Sequence, residues 1–62
     1  MTRSEIILTN AARKADRLTI TGDHVARIPT GNGWQYAITD RGETQVRTLL
    51  GKTFAEAKAA LQ

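Results

Sequence analysis

The sequence predicts an α+β fold: an N-terminal helix, a four-stranded antiparallel meander and a C-terminal helix, with both helices packed on one sheet face. Three observations predict it. Apolar residues follow a helical period at both ends of the chain, and they alternate between Leu18 and Leu50. The turn signals inside that alternating stretch set registers that agree with one another.

The first helix is expected from Thr2 to Arg17. Thr2 and Glu5 have capping-box spacing, in which each side chain satisfies a free backbone donor of the other. Ile7, Leu8, Ala11, Ala12 and Ala15 then gather on one face, and Thr9, Asn10, Arg13, Asp16 and Arg17 on the other. Ile6 lands on the polar side beside Arg13 and Arg17. A short strand at Ile6 to Thr9 is the competing reading.

Strands are expected around Leu18 and Ile20, from His24 to Ile28, from Trp34 to Thr39 and from Thr44 to Leu50, separated by turns. A three-residue loop at Gly22 to His24 sets Leu18 opposite Ile28 and Ile20 opposite Ala26. A five-residue loop at Pro29 to Gly33 sets Ile28 opposite Trp34 and Ala26 opposite Tyr36. A three-residue loop at Asp40 to Gly42, with Gly42 as its left-handed residue, sets Ile38 opposite Thr44 and Tyr36 opposite Val46. All three registers put the apolar residues on one face. Thr53 and Glu56 repeat the capping-box spacing, and Phe54, Ala57 and Leu61 form the stripe of a closing helix.

At 62 residues the chain is a single small domain, 1–62, with room for little core. Its 40% hydrophobic and 24% charged residues mark it as globular, not disordered. The absence of cysteine excludes a disulfide scaffold, a thiolate zinc site and a thiol nucleophile, and points to an intracellular, cytoplasmic protein. No apolar run is long enough to span a bilayer. A net charge of +3 favours nucleic acid or another acidic partner.

No enzyme, metal site or cofactor is expected. Ser4 is the only serine and His24 the only histidine; they lie far apart, and the six acids are scattered. The expected registers instead align Thr19, Arg27, Gln35 and Arg47 in a row on the open sheet face, with Thr21, Val25, Ala37 and Gln45 beside it. Such a face is rich in donors and free of carboxylates. Arginine suits guanine edges or phosphate, glutamine can read adenine, and a small sheet can enter the major groove of duplex DNA. Arg41 and Lys52 would add phosphate contacts. Trp34 and Tyr36 fall on the core face as packing residues.

Arg27 through Leu61 resembles the small sheet-plus-helix DNA-binding domain of phage integrase arm-binding modules and plant ethylene-response factors. The residues that carry the resemblance are Gly31-Asn32-Gly33-Trp34-Gln35-Tyr36-Ala37-Ile38, the turn at Gly42, and Gly51-Lys52-Thr53-Phe54-Ala55-Glu56-Ala57-Lys58-Ala59. It implies a sheet laid in the major groove with a helix behind it, and Arg27, Gln35 and Arg47 at groove-facing positions. Val25 to Gly42 also resembles the wing of a winged helix-turn-helix regulator, which would make Glu43 to Leu50 helical. A third resemblance, of the whole short chain to phage-encoded inhibitors such as anti-CRISPR proteins, implies a host nucleic-acid-binding protein complex as partner. Contacts would then centre on Ile6, Arg13 and Arg17.

Overall fold

A computed structural model describes residues 2–18 and 22–62. The elements run α1 (Arg3–Lys14), β1 (His24–Thr30), β2 (Gly33–Thr39), β3 (Val46–Gly51) and α2 (Phe54–Ala60). The sheet is antiparallel with strand order β1-β2-β3. The α+β class holds, but the four-stranded meander is overturned: among the described residues the sheet has three strands. Thr19, Ile20 and Thr21 of the expected first strand lie outside the described residues, and Leu18 packs against the core without strand pairing. A physical reason sits on the edge where that strand was to pair. The Val25 amide donates to Thr9 Oγ1 at 3.3 Å, so a helix side chain occupies the edge. The winged-helix reading is excluded, because residues 46–51 are strand.

The capping box of α1 forms as its spacing predicts: Glu5 N donates to Thr2 Oγ1 at 3.2 Å and Thr2 N to the Glu5 carboxylate at 3.0 Å. The helix stops at Lys14, short of the expected Arg17. Asp16 adopts a left-handed φ of 56°, and Arg17 N donates back to Ala12 O at 2.9 Å, the closure usually built on glycine. Its buried stripe is Glu5, Leu8, Thr9 and Ala12, while Ile7 is left exposed. Thr9 explains the rotation. Its hydroxyl donates to Glu5 O and accepts from Val25, which ties that face of the helix to β1.

The two hairpin loops differ from their expected lengths, and the registers move with them. Thr30 pairs with Gly33, so the β1–β2 loop is only Gly31-Asn32. Val25 therefore stands opposite Ile38 and Arg27 opposite Tyr36, one residue away from the expected pairing. A slip of one residue exchanges the two faces of a strand. Val25 enters the core in place of Ala26 and Ile28. The β2–β3 loop is longer than expected, because Thr39 pairs with Val46. The Asp40 carboxylate organises it, accepting from Thr44 N, Thr44 Oγ1 and Gln45 N, each at 2.7 Å. The left-handed residue there is Glu43, not Gly42.

Both helices cover the face bearing Val25, Tyr36, Ile38 and Leu50, to which α1 adds Leu8 and Ala12 and the α2 end adds Ala57 and Leu61. At α2, Thr53 Oγ1 accepts from Glu56 N, but the Glu56 carboxylate takes the amide of Lys52 and not that of Thr53. Gly51 is required by this turn: its φ is 129°, and a Cβ there would sit 2.8 Å from the Glu56 Cβ. Among the described residues no helix is long and apolar enough to cross a membrane.

Candidate nucleic-acid interface

The expected donor row does not assemble. Pairing with Tyr36 puts Arg27 on the face that carries Trp34 and Tyr36, whereas Gln35 pairs with Ile28 on the opposite face. Thr19 lies outside the described residues. Arg47 falls in an irregularity of β3, and its guanidinium is already engaged: Nε donates to Asp23 Oδ2 at 3.3 Å and Nη1 to Gln45 Oε1 at 2.8 Å. Arg41 and Gln45 belong to the β2–β3 loop, at the far end of the sheet from the Gly31-Asn32 tip. The face opposite the helices keeps Gln35 of the expected donors and is otherwise largely apolar. Val46 is 49% and Leu49 53% exposed, and with partly buried Ile28 they surround the buried Ala26 and Ala37.

What the structure does assemble is a basic and aromatic cluster at the β1–β2 tip. The Arg27 guanidinium lies over the Trp34 ring, 4.1 Å from its centroid. The indole in turn meets Tyr36 edge-to-face, with centroids 5.1 Å apart. Tyr36 is buried and fixes the platform; Trp34 is 38% exposed and forms the surface. A guanidinium over an indole face is held there by cation–π attraction and can still donate from its N–H groups. Arg27 makes no hydrogen bond or ion pair among the described residues. Gly51 pairs with Tyr36, so the exposed Lys52 follows at the same end of the sheet. Arg27 also lines a cleft of about 390 Å³ along β1, but Glu5 and Glu43 line it too. Their charge disfavours an anion in that cleft.

The acids are largely committed to local structure. Glu5 and Glu56 cap helices, Asp23 pairs with Arg47, and Glu43 lies 4.0 Å from His24 Nε2. Asp40 is lowered to about 2, first by the Thr44 hydroxyl and then by the Gln45 amide, which holds it ionised in its loop. Among the described residues Arg47 is the only Arg or Lys within ion-pair distance of a carboxylate. The other eight have no carboxylate within that distance among the described residues. No group of three potential metal ligands occurs among the described residues.

The alternative patch assembles in part. Ile6 and Arg13 share one exposed side of α1, seven residues apart, whereas Arg17 lies beyond the helix end. Trp34 is the member of this cluster that sequence reasoning assigned to the core, and it is part-exposed instead. The signal that could have moved it was the Gly31-Asn32 pair, a two-residue hairpin tip that pushes Trp34 to the sheet's end. No family model, no curated protein and no solved structure matches this chain.

Proposed function

We propose that this chain is a non-catalytic binding protein for single-stranded nucleic acid, held by the Arg27–Trp34 platform. The observation that carries the reading is a guanidinium, without a hydrogen-bond or ion-pair partner among the described residues, set over a part-exposed indole. Splayed bases stack on aromatic and guanidinium planes, while the free N–H edge of the guanidinium takes a phosphate. Lys52 supplies a second phosphate contact. Entry of the open face into a duplex groove loses its support, because that face carries Ile28, Val46 and Leu49 where donors were expected.

Trp34 is the only tryptophan, so its fluorescence reports occupancy of this site alone. Titration with a mixed-sequence single-stranded oligonucleotide at low salt is expected to quench it. Two phosphate contacts predict a slope of roughly −1.4 in log K against log salt, from about −0.7 per contact on single strands. Anisotropy of a labelled oligonucleotide should show Trp34→Ala weakened by about 1–3 kcal/mol, the worth of one stacked base. Arg27→Ala should also weaken binding and flatten the salt slope. Unquenched fluorescence, or equal binding by Trp34→Ala, overturns the reading. A protein partner contacting Ile6 and Arg13 would then take its place.

A further inference from the structure

The two helices leave between them a groove of about 340 Å³ that the nucleic-acid reading does not use. Ala11, Ala15 and Leu61 make it apolar, and Lys14, Lys58 and Gln62 complete its lining; no Asp or Glu side chain borders it. Ile7, one turn before Ala11, extends the apolar stripe and is exposed. Neither lysine has an acid within ion-pair distance among the described residues.

We infer that this groove receives a short helix of a protein partner, one with an apolar stripe flanked by aspartate or glutamate. An apolar floor between two helices fits the ridge of a third, and lysines contributed by both walls fit acids on its flanks. A second copy of this chain does not meet that description. The one acid of α1, Glu5, is spent in its cap, and Glu56 of α2 is bonded to Lys52 N, so self-docking would set lysine against lysine. A nucleic acid fits poorly too, because no aromatic side chain lines the groove.

The test uses a synthetic helical peptide of about 14 residues, with leucines at i, i+3, i+4 and i+7 and glutamates elsewhere. Amide chemical shifts of the labelled protein should move at Ala11, Lys14, Ala15, Lys58 and Leu61. The double variant Lys14→Glu/Lys58→Glu should bind this peptide at least roughly tenfold more weakly, and should now bind the same peptide with lysines in place of glutamates. Both lysines are exposed, and far-UV circular dichroism checks that the exchanged protein keeps its fold. Equal binding of acidic and basic peptides by the unaltered protein, shifts confined to other faces, or no shifts at all overturn the inference. None of these results bears on the Trp34 titration.

Discussion

Among the described residues, replacing Arg47 with alanine removes the one cation within ion-pair distance of Asp23, whose side chain is only 4% exposed. A buried charge left without its partner typically costs about 3–5 kcal/mol. Arg47 itself is 32% exposed, so screening weakens the pair and brings the cost below that range, to about 2–3 kcal/mol. At roughly 0.05–0.15 kcal/mol per residue the whole domain is stable by about 3–9 kcal/mol, so the loss is a large share of it. A domain this size melts about 4–8 °C lower per kcal/mol, which predicts a drop of about 10–20 °C by circular dichroism. Adding Asp23→Asn to Arg47→Ala removes the stranded charge and should recover most of that drop. A single variant melting within about 4 °C of the parent, or a double variant no better than the single, would refute the reasoning. Oligonucleotide affinity, measured below the melt, should stay unchanged, because Arg47 stands apart from the Arg27–Trp34 cluster.

Leu8 is fully buried at the junction of helix and sheet, so Leu8→Ala should cost about 2–5 kcal/mol in urea denaturation and leave little folded protein. Asp16 closes α1 in a left-handed conformation that glycine adopts without strain; Asp16→Gly should raise stability by about 0.5–1 kcal/mol, read as a higher urea midpoint at unchanged m. Asp40 has a folded value near 2 against an ordinary 3.8, so its contribution is complete above about 4 and disappears as pH falls through 2. Melts between pH 5 and 1.5 should show that decline, and Asp40→Asn should reduce it.

Much of the architecture is legible in the sequence because local chemistry and tertiary packing ask for the same thing. The Thr2–Glu5 box, the Thr53 cap and the strands beneath Tyr36, Ile38 and Leu50 are of this kind. What was not legible depends on loop length, which the sequence expresses only weakly. Glycine and asparagine at positions 31–33 are compatible with a five-residue loop or a two-residue tip, and the choice decides whether Arg27 joins Gln35 or Trp34. In the second loop the obvious left-handed candidate was Gly42, yet the Asp40 carboxylate gathers the amides of Thr44 and Gln45 and leaves Glu43 to take that conformation. Arg47 and Asp23 lie far apart in sequence, so no local pattern announced their pairing.

The bond from Val25 to Thr9 has a consequence for behaviour at high concentration. Because Val25 directs its amide away from β2, alternation directs those of Arg27 and Pro29 the same way, and proline has no N–H to offer. Over those three outward positions a single donor is left without a partner among the described residues, on a residue that carries a positive charge. Fibre growth by strand addition needs an uninterrupted row of donors and acceptors, and charge and proline at an edge are the usual deterrents. On the other flank, the two register shifts of β3 against β2 bend the outer edge out of a flat template. In a chain with only one small core, and with Val46 and Leu49 open to water, both features disfavour polymerisation through the sheet.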